Sequence, residues 1–576
     1  MKAFFKKEQF VMTFLASAAF GLALALLTAG WGLGVFARSL ARQAAAVTLL
    51  WAAFGALSYL GLTALSARWV RLHSVLTFGG GLGPLSRKIF LAVCFLFPLG
   101  LILYVQLAEL FGAPLYQKFV EPLGLVLLRD GGSAVVFASV LAGWLFMLTL
   151  LLVFRNWRGW EALPDAAYIL LIVVVAAGLR LALLALVQTA PYSDFAAIHE
   201  DALRLAQGQA PQNMYIATHV VLIVLYGFLY KAFGAGLATT SVFHLVCYAL
   251  AGAFTYLAGR QVFGSRLWGG LAGLLLVTWP SLAFYSNVLT PEHLFILIEC
   301  ALLYALALFF QPGNRGDDRP RYLLLGLLFG LLSLFRPFSL LYLLAFLITF
   351  FVYEMGKRRI STLAAGLAAL LAVYWLVGLL PGALAAHYDN QFSKTRACNL
   401  LVGVNFDTAG IYNLEDARLC GDLQGKLPNG GQFNRAVFGL ALERISDGRD
   451  QLAALLGRKV AVLWGGSTQI LSWTVRGVPG WDEAAALRVV LGMNVVDFAI
   501  MLPVTLVCLA GSILAFFKDL KPAAFFSLLA FFGFHLMEAV FEIQTRYRTV
   551  VMPLLIFFFA WSLSELGRVV TRRDRG

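Results

Sequence analysis

The chain has 576 residues, of which 61% are apolar and only 13% charged. That is more apolar surface than a water-soluble core can use, so a soluble globular protein is excluded and a polytopic membrane protein is implied. The net charge of +14 does not point to nucleic acid, because Lys and Arg gather in short loops between apolar runs, as topology signals do.

Met1–Gln9 is basic and precedes an apolar run too long for the core of a signal peptide, so it reads as a retained first span. Apolar runs follow at 10–37, 44–66, 89–112, 134–154, 167–190, 217–235, 238–259, 267–285, 291–310, 322–335, 338–353, 361–380, 489–516, 522–541 and 549–566. Most approach the ~20 residues a helix needs to cross a bilayer. Lys2, Lys6 and Lys7, then Arg68, Arg71, Arg87 and Lys88, then Arg155 and Arg158, mark inside loops. That count places 191–216 outside. From the other end, Arg568, Arg572, Arg573 and Arg575, with Lys518, Lys521 and Lys357 to Arg359, place 382–488 and 286–290 outside. The two counts agree only if one run between 216 and 286 does not cross. The run 217–235 is shorter and carries His219 and Lys231, so it is expected to be juxtamembrane or partly inserted. About 14 spans remain. The loop 382–488 is too long for a passive connector and is expected to cover something. Cys398 and Cys420 share it and could pair if it is extracytoplasmic; Cys94, Cys247, Cys300 and Cys508 sit in apolar runs as packing residues.

The stretch Pro191–Gly208 directly follows a span. Phe195, Ile198, Ala202, Leu205 and Ala206 fall on one helical face, with His199, Glu200, Arg204 and Gln207 opposite, which reads as an interfacial helix. Asp194 lies at its first turn, where it could cap free N–H groups or act as a base. The same membrane face collects His219 and Lys231, Asn287, Thr290, Glu292 and His293, Arg336 in Phe335-Arg-Pro-Phe338, and Glu542, Gln544, Arg546, Tyr547 and Arg548. Carboxylates can deprotonate an acceptor, and arginines can clamp a phosphate bidentately. Together they describe group transfer from a lipid-linked phosphate. Simpler readings stand beside this one. Arg546 and Arg548 could snorkel to headgroups, Thr290-Pro-Glu292 could be ordinary helix-start chemistry, and Lys231 could be a topology lysine. His199 with Glu200, or Glu292 with His293, could meet a divalent ion, but no tight ligand spacing occurs, so neither a metal nor another cofactor is assigned.

The motifs come in a recognisable order. Ser193-Asp-Phe leads into an amphipathic Ala-Leu-Arg-Leu-Ala-Gln-Gly, then Leu-Tyr-Lys-Ala-Phe-Gly234, Asn287-Val-Leu-Thr-Pro-Glu292, Leu-Phe-Arg-Pro-Phe338 and Gln544-Thr-Arg-Tyr547. Over about 160–566 this resembles the GT-C membrane glycosyltransferases, specifically the bacterial family 39-like enzymes related to protein O-mannosyltransferases and aminoarabinose transferases. The segments Leu401–Asp416 and Leu-Gly-Arg-Lys-Val-Ala-Val-Leu-Trp464 resemble the corresponding loop of Gram-positive members. The resemblance implies that Asp194 is the general base and that Glu292 occupies the second acidic position, where many members carry Asp. It also implies that Lys231 and Arg546 contact the lipid phosphate, and that juxtamembrane helices occur in the first external loop.

The chain is therefore expected to be all-α with a GT-C fold. It divides into extra N-terminal helices (1–160), a core with its first external loop at 191–235 (161–380), an extracytoplasmic loop domain (381–488) and C-terminal spans (489–576). The expected activity is inverting glycosyl transfer from a polyprenyl-phosphate sugar to a glycan, lipid or protein. It takes place at the outer face of the plasma membrane, with both termini cytoplasmic. Asp194 is catalytic; His219, Lys231, Glu292, Arg336, Arg546, Tyr547 and Arg548 bind substrate. The rival expectation is a transporter of lipid-linked saccharide, for which Asp497, the main acid inside an apolar run, would matter.

Overall fold

A computed structural model describes residues 96–111, positions 141, 143, 145, 146 and 149, and segments 157–212, 216–311, 319–354, 360–388, 397–427, 430–517 and 520–573. The expected spans 10–37 and 44–66, and most of 134–154, lie outside these residues. Among the described residues the structure is helical throughout, with no strand. In chain order the main helices are α1 (Phe97–Phe111), α2 (Asp165–Leu186), α3 (Asp194–Ala206), α4 (Ile216–Phe233), α5 (Leu237–Phe263) and α6 (Arg266–Thr278). Then come α7 (Glu292–Phe309), α8 (Arg319–Phe335), α9 (Ser339–Glu354), α10 (Ile360–Gly378), α11 (Leu414–Lys426) and α12 (Gly430–Asp447). The series ends with α13 (Leu452–Trp464), α14 (Glu483–Phe517), α15 (Pro522–Glu538) and α16 (Met552–Arg573).

The protein is a multi-pass membrane protein. Among the described residues, six helices are long and apolar enough to cross a bilayer, and further shorter apolar helices stand beside them. Their outward faces carry large apolar side chains, with Leu170 64% and Leu186 69% exposed on α2, as lipid-facing surfaces do. Small residues let the helices approach one another. A Cβ on Gly259 of α5 would stand 2.8 Å from the Cα of Gly269 on α6, so these backbones nearly touch. At one end of the bundle Asp165 takes Arg260 at 2.5 Å and Arg266 at 3.0 Å, so two of the loop arginines are paired rather than free.

One expected span is interrupted. The run 267–285 breaks at Trp279, which is extended (φ −56°, ψ 121°), and a short helical turn restarts at Pro280–Tyr285. Pro280 has no N–H to give and pushes its predecessor out of the helical region. The break turns the chain toward the Asn287–Glu292 loop. The helix α1, the described part of the N-terminal extension, packs against α13 and α14.

Between α10 and α14 the chain builds a small helical module. It consists mainly of α12, of α13 with the turn before it, and of α11. Phe433, Val437 and Ala441 form its core with Leu401 and Val404. Cys398 and Cys420 form a disulfide. Asp416, 1% exposed, accepts from Arg444 at 2.9 Å, Asn405 at 2.8 Å and Asn413 at 2.9 Å. Asn413 also caps α11 by accepting from Asp416 N–H at 2.8 Å.

Candidate active site

The segment after α2 is fixed before it reaches Asp194. Thr189 donates to the Thr474 carbonyl at 2.5 Å, and Ala190 N–H donates to the Arg476 carbonyl at 3.0 Å. Ser193 then adopts φ 54° and ψ −129°, a conformation that favours glycine. Its hydroxyl donates to Asp194 Oδ1 at 3.0 Å instead of capping the helix. The amphipathic face is as expected: Phe195, Ile198 and Ala202 are buried, while Leu205 and Ala206 pack partly buried beside them. Asp201 is buried too and accepts Gln212 N–H at 2.8 Å, which holds the exit of α3. The helix crosses α4 closely: a Cβ on Gly227 would lie 2.8 Å from Leu205 Cβ, and His199 Nδ1 meets the Tyr230 hydroxyl at 2.7 Å.

Asp194 meets the other end of the chain here. Arg546 Nη2 stands 3.6 Å from Asp194 Oδ2. The Arg546 guanidinium also lies 5.2 Å from the Phe195 ring and 5.6 Å from the Tyr547 ring, within cation–π reach. Arg336 lies 5.3 Å from the same Tyr547 ring and pairs with Glu292. Glu292 is fully buried and accepts a second hydrogen bond from the Thr290 hydroxyl, while its own N–H donates to Thr290 Oγ1 at 3.2 Å. The Thr290 hydroxyl thus takes an N–H at the start of α7 and also holds the Glu292 carboxylate. His219, where α4 departs from helical geometry (φ −129°, ψ 19°), lies within electrostatic reach of Arg336, Asp194, Glu292 and Arg546. The structure therefore brings together Asp194, His219, Glu292, Arg336, Arg546 and Tyr547.

Two nominated residues are elsewhere. Arg548 is 2% exposed and turns away from the cluster. It donates to Asp497 at 2.8 Å, to the carbonyls of Leu463 at 2.9 Å and Gly466 at 3.0 Å, and to the Ser467 hydroxyl. The cause is the 3-10 helix Thr545–Val551: at three residues per turn, positions two apart point to different sides. Lys231 is exposed on the last turn of α4 and enters none of the cluster's ion pairs.

Other side chains complete the site. Tyr285 is fully buried and feels the charges of Glu292, Arg546 and Arg336. Trp473 meets Phe195 edge-on at 5.2 Å and Tyr192 at 5.7 Å. Tyr285 follows a span break, and Trp473 sits in the module far along the chain, so local pattern carried no signal for either. Burial pushes the Glu542 carboxyl up, opposed by the Gln544 amide, which donates to it at 2.7 Å. Among the described residues no group of three or more His, Cys, Asp or Glu side chains is arranged to hold a metal ion.

Both arginines have buried Nε–H groups without a hydrogen-bond partner. Two guanidiniums with spare donors thus stand beside two carboxylates. Residues 218–381, which hold His219, Glu292 and Arg336, match the family model of the dolichyl-phosphate-mannose-protein mannosyltransferases. The match takes in less than half of the chain. Asp194 and Arg546 flank the matched segment on either side. ArnT from Cupriavidus metallidurans, solved bound to undecaprenyl phosphate, aligns with 13% identity over 69% of this chain and 76% of its own, at a TM-score of 0.33. No curated protein matches the chain in sequence.

Proposed function

We propose that this chain is a GT-C inverting glycosyltransferase that uses a polyprenyl-phosphate sugar and acts on a glycan, lipid or protein at the extracytoplasmic face. The observation that carries the reading is the approach of Arg546 to Asp194 at 3.6 Å, with partnerless Nε–H groups on Arg546 and Arg336. An incoming phosphate would compete with Asp194 for Arg546. Donor binding would then both anchor the leaving group and free the carboxylate. Asp194 accepts the proton of the acceptor O–H as its oxygen attacks the anomeric carbon. The bond from that carbon to the phosphate oxygen breaks, and the arginines take up the charge that develops on the leaving phosphate. Glu292 is already held by Arg336 and Thr290, so its role is to aim Arg336 rather than to take a proton.

The disulfide in the module supports an extracytoplasmic placement, since such bonds persist where the compartment is oxidising. The pairing of Asp497 with Arg548 speaks against the transporter reading, because the acid that reading needed is committed to structure. The test is transfer of labelled sugar from a polyprenyl-phosphate donor in proteoliposomes. Loss of transfer in Asp194→Asn with donor binding kept supports the enzyme. Donor movement across the bilayer without transfer, unchanged by Asp194→Asn, would sink it.

A further inference from the structure

Arg546 lies in the first turn of the 3-10 helix Thr545–Val551, and the helical module grips the segment that leads into it from the end of α15. Asn399 carbonyl accepts Glu542 N–H at 2.7 Å, and Gly410 carbonyl accepts Ile543 N–H at 2.9 Å. Gln469 Oε1 accepts Thr545 N–H at 2.8 Å. Gly403 lies so close to Phe541 and Glu542 that any side chain there would collide with their backbone. At the start of the segment stands one buried cation: Lys459 of α13, 2% exposed, donates through Nζ to the Glu538 carbonyl at 3.0 Å and the Phe541 carbonyl at 2.6 Å.

An ammonium fits this place for physical reasons. The carbonyls at the end of α15 lack intrahelical partners and form the negative end of the helix dipole, and Lys has three donors on one compact charge. Burial opposes the charge of Lys459, and the pull of Glu538 and Glu542 offsets part of that opposition. Room for the Nζ arm is made by Gly410, at φ +75°, where a Cβ would stand 2.6 Å from Lys459 Cε. Arg546 itself is held toward Asp194 by one contact of 3.6 Å and two ring contacts. Its aim is therefore set mainly by the backbone that delivers it.

We propose that Lys459 is a positioning residue for Arg546, pinning segment 538–545 to the module so that the guanidinium stays where the donor phosphate is bound. The inference rests on the functional reading above. Small misplacement of such a group is expensive, about 100-fold for roughly 1 Å.

The experiment measures binding of undecaprenyl phosphate to the full chain in nanodiscs, with turnover alongside. Lys459→Met is expected to weaken binding about tenfold and raise the donor KM more than it lowers kcat. Lys459→Arg, which keeps charge and donors, should recover most of this. Because Lys459 acts through Arg546, adding Lys459→Met to Arg546→Lys should cost little beyond Arg546→Lys alone. Additive losses, or unchanged binding in Lys459→Met while Arg546→Lys binds poorly, would overturn the clamp. Unchanged binding in Arg546→Lys would instead overturn the reading of the site, and the clamp's purpose with it. If Lys459→Met does not fold, the same cycle with Gln469→Ala decides: additivity there overturns the proposal, and non-additivity supports it.

Discussion

The Arg548 guanidinium lies 2.8 Å from the Asp497 carboxylate, and both side chains are 2% exposed. Ser467 donates its hydroxyl to the same carboxylate, and Ser281 N–H donates to it at 3.1 Å. One ion pair thus ties the 3-10 helix, α14, the chain after α13 and the turn at Pro280 into a single joint. Removing one partner of a buried pair leaves the other uncompensated, which costs about 3–5 kcal/mol. Arg548→Met should therefore lower the yield of folded protein and its thermal midpoint in detergent, without a specific change in donor KM. Asp497→Asn combined with Arg548→Met should be milder than either charge loss alone suggests. A folded, stable Arg548→Met enzyme that loses only donor affinity would return Arg548 to the substrate site.

Asp194→Asn removes the proposed proton acceptor but keeps the shape of the side chain. Loss of a general base lowers turnover by roughly 10²–10⁴-fold. Binding of the lipid phosphate should hold or tighten, because Arg546 loses the carboxylate that competes for it at 3.6 Å. Parallel turnover and binding measurements separate this from unfolding. A drop in binding that matches the drop in turnover would mean that Asp194 orders Arg546 rather than accepting a proton.

Much of this architecture could be read from residue patterns, and the exceptions have definite causes. The amphipathic helix at Asp194 and the helices around Glu292 and Arg336 were legible because apolar periodicity and helix-start residues are local. The grouping of Asp194, Glu292, Arg336 and Arg546 followed from assigning distant segments to one membrane face. The separation of Arg546 from Arg548 did not, since it depends on a tight 3-10 turn where an α-helix or an extended start was equally compatible with Gln544-Thr-Arg-Tyr-Arg548. Lys231 looked like a site lysine by motif order, yet it stands exposed at the end of α4. Lys459 lay in a quoted segment as one basic residue of an amphipathic helix; only the fold shows two backbone carbonyls waiting for it.

Glu292 and Arg336 should behave as one unit. Arg336 is paired with Glu292 and packed near Tyr547, so Glu292→Gln loosens the guanidinium without deleting it. A charge-assisted hydrogen bond is worth about 1.5–3 kcal/mol, or roughly 10–100-fold in donor affinity. Donor KM should rise by that order, with kcat falling less. Arg336→Lys should resemble Glu292→Gln, because a lysine keeps charge but cannot present the planar fork. A collapse of kcat in Glu292→Gln at unchanged donor affinity would assign Glu292 a direct chemical role instead.

The module should be acid-sensitive through Asp416. Burial opposes the charge of this carboxylate, but hydrogen bonds from Arg444, Asn413 and Asn405 outweigh it and hold the group below the usual carboxylate range. A carboxylate whose folded value lies below its unfolded value stabilises the fold above the unfolded value. That stability is lost as pH falls from near 4 through the lower folded value. Protection of residues 398–447 against hydrogen exchange, corrected for the intrinsic rate at each pH, should therefore hold at pH 6 and fall sharply below about pH 4. Asp416→Asn should be destabilised already at pH 6 and show a flatter acid profile. The disulfide shortens the list of open states by closing a loop of sequence separation 22. A loop of that size is worth about 3 kcal/mol, so Cys398→Ser should shift the whole profile to faster exchange without moving its midpoint in pH. An acid profile that persists in Asp416→Asn would place the sensitive group elsewhere in the module.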